Sequence, residues 1–148
     1  MDIKTYWNKY KEKSGTDKLL KKAYYFCDNK EEAEELANLV LEGKKRATAS
    51  IYLMYEIENE PLPKVGDLNI ITDFYDEPKC IIETTDVNIA EFKDVSPEFA
   101  NTEGEGDSSL EYWKYAHRSF FTKELLDMDK CFTEDMLVVC EKFKVVYK

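Results

Sequence analysis

The stretch Gly43-Lys44-Lys45-Arg46-Ala47-Thr48-Ala49-Ser50 sets three consecutive cations beside two hydroxyl side chains. Cations on a tight connection can hold a phosphate. An extended stretch points alternate residues to opposite faces. Lys44, Arg46, Thr48 and Ser50 then share one side, and Lys45, Ala47 and Ala49 the other. The same cations also fit a solvated cluster that closes a helix and complements its dipole.

Glu103, Glu105 and Asp107 alternate with Gly104 and Gly106. Three readings stand side by side. The carboxylates orient a base or handle a leaving proton; they ligate Mg²⁺ or Mn²⁺ for metal-assisted phosphodiester chemistry; or they are solvated and cap the next helix. The spacing is not that of a calcium loop. His117, the one histidine, is either a cleft residue that carries a proton or contacts a ligand, or a packing histidine. Arg118 and Ser119 follow it and reach phosphate if their helix edges a cleft. Trp113, Tyr112 and Tyr115 cannot all face the core. An exposed aromatic stacks a base; a buried one packs.

These residues need elements to place them. Ile3, Tyr6, Trp7 and Tyr10 recur at helical spacing and predict a helix over 3–13. Residues 23–27 read as a short strand. Ala33, Leu36, Ala37, Val40 and Leu41 predict a helix over 30–42, capped by Asp28 or Asn29 and ended by Gly43. Residues 46–49 are extended, and 51–58 form a short helix. Residues 68–72 and 79–89 are β-rich. A helical turn near 96–100 precedes a helix over 109–125, with Ser108 and Glu111 in capping-box spacing. Leu110, Trp113, His117, Phe120 and Phe121 share one face of it. The terminal MLVVCEKFKVVYK is a strand. Strands do not alternate regularly with helices, so a doubly wound parallel sheet is not expected. The expected class is α+β, a small curved or barrel-like mixed sheet with helices packed outside.

A chain of 148 residues reads as one domain and buries roughly 68–70% of its unfolded surface. The single domain spans 1–148, with an N-terminal helical extension at about 1–20. Lys plus Arg is 21 and Asp plus Glu 31, a net charge of −10. Such a chain repels long polyphosphates, which argues against double-stranded DNA. It leaves room for a local pocket that takes a nucleoside or a short single strand. Mean hydropathy is −0.57, with no run long enough for a membrane span. The charged N-terminus is unlike a signal peptide, so the expected location is cytoplasmic. Four cysteines occur without a C-x-x-C pair, and zinc ligation has little support. No metal site is assigned and no cofactor expected, with Mg or Mn left open at the acidic loop.

The G-x-K-x-x-T pattern of Gly43, Lys45 and Thr48 resembles the signature of the ASCH superfamily (activating-signal-cointegrator homology). The resemblance extends through EPLPKVGDL (60–68), CIIETTDV (80–87), EFANTEGEGDSSLEYWKYAH (98–117) and EDMLVVCEKFKVVY (134–147). It covers residue 22 to the C-terminus and points to bacterial ASCH proteins of this length. The resemblance implies a PUA-like β-barrel. Some members bind RNA; others resemble ribonucleases, or amidohydrolases that remove an acetyl group from a modified cytidine. Carried over by position, the resemblance implies Lys45, Thr48 and Glu103 as catalytic residues, with Glu105 two positions away: a lysine whose pKa drops in a cleft as the base, the threonine hydroxyl as the nucleophile, and the carboxylate to orient the lysine or handle the leaving proton. The ligand-contacting candidates are Lys44, Arg46, Ser50, Glu105, Trp113, His117, Arg118 and Ser119. The family pattern commonly places Arg where this chain has Ser50.

Two classes of function follow. One is a protein that binds RNA or a modified nucleoside or nucleotide around the G-x-K-x-x-T motif and hydrolyses it. The alternative is a non-catalytic RNA- or nucleotide-binding regulatory module, or a protein-interaction domain. An enzyme should bring Lys45, Thr48 and a carboxylate to one cavity.

Overall fold

The Asp2 side chain accepts from the Thr5 amide and starts helix α1, Ile3–Ser14, in a computed structural model that describes residues 1–148. Trp7 on α1 packs on Leu68, Ile70 and Ile81, so the N-terminal helix shares in the core. Strand β1 is Lys22–Tyr24, shorter than the sequence suggests. The chain turns away at Cys27, whose φ is 68°. Helix α2, Lys30–Leu41, is capped by Asn29, which accepts from the Glu32 amide. Asp28 is not the cap; its carboxylate pairs with Lys123 at 2.8 Å.

Strand β2, Ala47–Ile51, runs into helix α3, Tyr52–Ile57. Strands β3, Leu68–Thr72, and β4, Pro78–Glu91, pair as antiparallel neighbours. Helix α4, Pro97–Glu103, and helix α5, Leu110–Leu126, precede β5, Leu137–Tyr147. Ser109 caps α5 by accepting from the Tyr112 amide, one residue later than the expected Ser108, which takes a left-handed φ of 65°.

The sheet order is β1-β3-β4-β5-β2. Only β1–β3 is parallel; the other three pairings are antiparallel. Register shifts between Ile81/Ile82 and Thr84/Asp86 break the β4–β5 ladder. Such bulges bend a strand and increase its twist, and the sheet curls into a half-barrel. The expected α+β architecture with helices outside is what forms.

Every residue of β3 is buried, because both faces are covered. Leu68 and Ile70 meet α1. Ile71 on the opposite side joins Ala37 and Val40 of α2, with Phe26, Ile82 and Phe143. Helix α5 packs Trp113, Phe121 and Leu125 on Ala47, Ile51, Val138 and Cys140 of β2 and β5. Helices α2 and α5 thus stand on either side of the start of β2.

Candidate functional site

Lys45 is 2% exposed, although its neighbours Lys44 and Arg46 point to solvent. The expected alternation holds across these three cations. The Lys45 ammonium donates to Ala47 O at 2.8 Å, Glu103 Oε2 at 3.3 Å and Glu105 Oε2 at 3.1 Å. It also lies 4.9 Å from the centre of the Phe26 ring. An ammonium has three protons, and these three acceptors take them all.

Two backbone features bring the carboxylates there. Arg46 N–H donates to Thr102 O at 2.9 Å, tying the end of α4 to the start of β2. Gly104 follows with φ 66°, and a Cβ there would lie 2.0 Å from Lys44 O. Only glycine allows this approach without a shift in one backbone. At Gly106 a Cβ would meet the Tyr112 ring at 2.6 Å. The alternating acid–glycine sequence therefore packs a loop against β2 and α5 while Glu103 and Glu105 reach Lys45; Asp107 instead accepts from the Ser109 amide.

Glu103 is 1% exposed. Its Oε2 also lies 3.4 Å from His117 Nε2, while Oε1 is buried without a partner. His117 Nδ1 lies 2.9 Å from Trp113 O. A carbonyl only accepts, so Nδ1 carries a proton. Nε2 faces a carboxylate, so a second proton there completes an imidazolium that donates to Glu103. Burial opposes charge on His117, but Glu103 outweighs it and the pKa rises. The imidazole ring stacks on Trp113 at 4.2 Å.

The same competition sets the other groups. Burial disfavours charge on Lys45, but Glu103 and Glu105 more than offset it and its pKa is raised. The expected depressed lysine base is therefore corrected: Lys45 is a held cation. Burial alone would raise Glu103, but Lys45 and His117 hold it below the ordinary carboxylate range. Glu105 goes the other way. Burial raises it, Lys45 pulls it back, and the neighbouring Glu103 charge pushes it up again, to about 7. Two close carboxylates do not ionise equally. Glu105 is also the less buried of the two, with its side chain 18% exposed.

This cluster lines a cleft of about 460 Å³. Phe26, Leu36 and Leu39 form one wall, and Tyr112, Ala116 and Phe120 the other. Thr48, half-buried on β2, lines it too, so the parity expected beyond Arg46, which set Thr48 on the side away from Lys45, does not hold. A ligating atom from each of Glu103, Glu105 and His117 falls within 4.8 Å of the others. That donor set could hold a divalent ion only by displacing the His117 proton and the Lys45 ammonium.

A family model described as the ASCH domain matches residues 22–147. The chain belongs to the ASCH-domain family. It is similar to the ASCH domain from Lactobacillus crispatus JV V101, a crystal structure 39% identical in sequence with a TM-score of 0.92. That match covers 98% of this chain and 94% of the other. It is equally similar in shape to a protein from Enterococcus faecalis V583, 38% identical at TM-score 0.92, covering 98% of this chain and 88% of that one. No curated protein matches the chain.

Within this ASCH domain, Lys45, Thr48, Glu103, Glu105, His117 and Ser119 come together at the cleft. Other candidates do not. Lys44 is solvated and pairs with Glu42, and Arg46 is exposed. Ser50 shares a 2.7 Å hydrogen bond with Tyr55. Arg118 pairs with Glu134 at 2.8 Å and lines a separate shallow depression on α5. Trp113 is 2% exposed and lies in the core, beneath His117. The α2 wall, with Leu36, Leu39, Glu32 and Glu35, is not apparent from the sequence. Glu32 and Glu35 stand three apart beside the core stripe, but nothing local shows that this flank faces a cavity.

No helix is long and apolar enough to cross a membrane.

Proposed function

We propose that this ASCH domain is a hydrolase that cleaves an amide on a modified nucleoside held in the cleft, with Lys45, Thr48 and the Glu103–Glu105 pair as its machinery. One observation carries the reading. A charged network of Lys45, Glu103, Glu105 and His117 is buried at the floor of an open cleft, and one of its carboxylate oxygens, Glu103 Oε1, has no protein partner. Burying charges is costly and seldom improves stability over apolar packing. A network placed where a ligand can reach it has a use beyond folding.

The roles follow from the protonation states. Lys45 stays charged and fixes both carboxylates. Glu105, raised to about 7, titrates near neutrality and is the proton carrier. Ionised Glu105 takes the proton of the Thr48 hydroxyl as its oxygen bonds to the amide carbonyl carbon. Protonated Glu105 has a weaker hold on Lys45, whose freed N–H turns to the developing oxyanion. The C–N bond breaks, and the amine leaves with the proton from Glu105. Water then hydrolyses the acyl ester, with Glu105 taking and returning the proton. No metal enters these steps, because Lys45 already occupies the charge position.

Incubation with N4-acetylcytidine and, separately, with a short single-stranded RNA tests the reaction class. The reading expects cytidine and acetate, undiminished by EDTA. RNA cleavage that requires Mg²⁺ or Mn²⁺, without deacetylation, would replace it with a nuclease.

A further inference from the structure

We infer that the cleft selects an uncharged, hydrogen-bond-donating ligand and rejects the same ligand carrying a phosphate, with Glu32 and Glu35 of α2 as the specificity-determining residues. This rests on the proposed function and narrows its substrate class.

The wall carries Asp28, Glu32, Glu35, Glu103 and Glu105 against two lysines, Lys45 and Lys123. Neither lysine is free. Lys45 has all three protons engaged, and Lys123 pairs with Asp28 at 2.8 Å. With His117 charged and Glu105 protonated, the wall still has an excess of negative charge. That excess is one charge, and the acids without a cationic partner are Glu32 and Glu35; Glu32 accepts only the Cys27 thiol proton. Their field crosses the cleft. Tyr112 on the α5 wall has its pKa raised by burial first, then by Glu105, Glu35 and Glu32.

The hydrogen-bonding capacity is equally one-sided. The acceptors that a ligand meets first are the exposed Glu32 and Glu35, and Glu103 Oε1 is a buried acceptor without a partner beneath them. A ligand edge that donates, such as an amide N–H or an amino-bearing base, satisfies these groups. A phosphate offers only acceptors and negative charge. The cations that would suit phosphate, Lys44, Arg46 and Arg118, line other surfaces.

Calorimetric binding of N4-acetylcytidine and of its 5′-monophosphate to the full chain tests this. The nucleoside should bind at least about tenfold tighter at low ionic strength, and the ratio should shrink at about 0.5 M salt, where exposed charges are screened. In Glu32→Gln/Glu35→Gln the ratio should fall at least about threefold at low salt. A purely structural role for these glutamates would not change the salt dependence of a ratio. Equal affinities, or a ratio unaffected by salt and by both substitutions, would overturn the inference while leaving deacetylation intact. If neither ligand binds and neither is turned over, the proposed function itself falls, and this inference with it.

Discussion

Glu105 is where residue chemistry meets pH. Its folded pKa is raised from 4.5 to about 7, so the folded state holds its proton more tightly than the unfolded chain does. That contribution to stability is complete below 4.5 and is lost as pH rises toward and past neutrality. His117, raised above 6.5, contributes in the same direction at higher pH. Glu103 is depressed, so its contribution is present above 4.5 and is lost as pH falls. The protein should therefore melt highest in mildly acidic buffer. Glu105→Gln should flatten the decline between about pH 5 and 8, read by thermal melts across that range. A wild-type midpoint that rises steadily through neutrality would show that Glu105 is not held protonated. The sequence showed Lys45 and both glutamates as reactive types. It could not show which would hold a proton, because that depends on contacts such as Lys45–Glu103, 58 residues apart. Burial alone predicts a depressed lysine, and the two carboxylates reverse the sign.

The loop from Glu103 to Ser109 is the element that assembles the site. Gly104→Ala would force a Cβ to 2.0 Å from Lys44 O at a left-handed φ. It should cost about 2 kcal/mol or more and uncouple the carboxylates from Lys45. A lower melting point with the pH dependence of Glu105 abolished would show both effects. An unchanged melt would mean the loop does not approach β2 so closely. Helix α2 and strands β3 and β4 were legible from periodicity and β-branching, since each is specified within its own segment. The cleft was not, since its walls come from α2 and α5, elements with some seventy residues between them. The α5 pattern placed Trp113 and His117 on one face. Only the fold shows that Trp113 is core and that His117, stacked on it, reaches Glu103. The run of cations suggested phosphate, and the connection leading into β2 scattered it: Lys45 inward, Lys44 and Arg46 outward.

At the scale of the molecule, stability and the site are separable. Trp7 on α1 packs on Leu68, Ile70 and Ile81, away from the cleft. Trp7→Ala should cost about 3 kcal/mol or more, and turnover per folded molecule should be unchanged. A loss of turnover without a loss of stability would tie α1 to the site. The acidic charge of −10 and the acidic cleft both suit the proposed small ligand better than a nucleic-acid track. Family membership and the half-barrel fold set the frame, and the buried network gives the chain its proposed activity. The most direct test is the rate of N4-acetylcytidine deacetylation by wild type, Lys45→Ala and Glu105→Gln, each checked for folding by its melt. Removing one partner of a buried ion pair costs about 3–5 kcal/mol, so the isosteric Glu105→Gln provides the reading if Lys45→Ala does not fold. The account predicts turnover by wild type, and a loss of at least about a hundredfold in each folded variant. Full turnover by a folded Lys45→Ala or Glu105→Gln protein would contradict it.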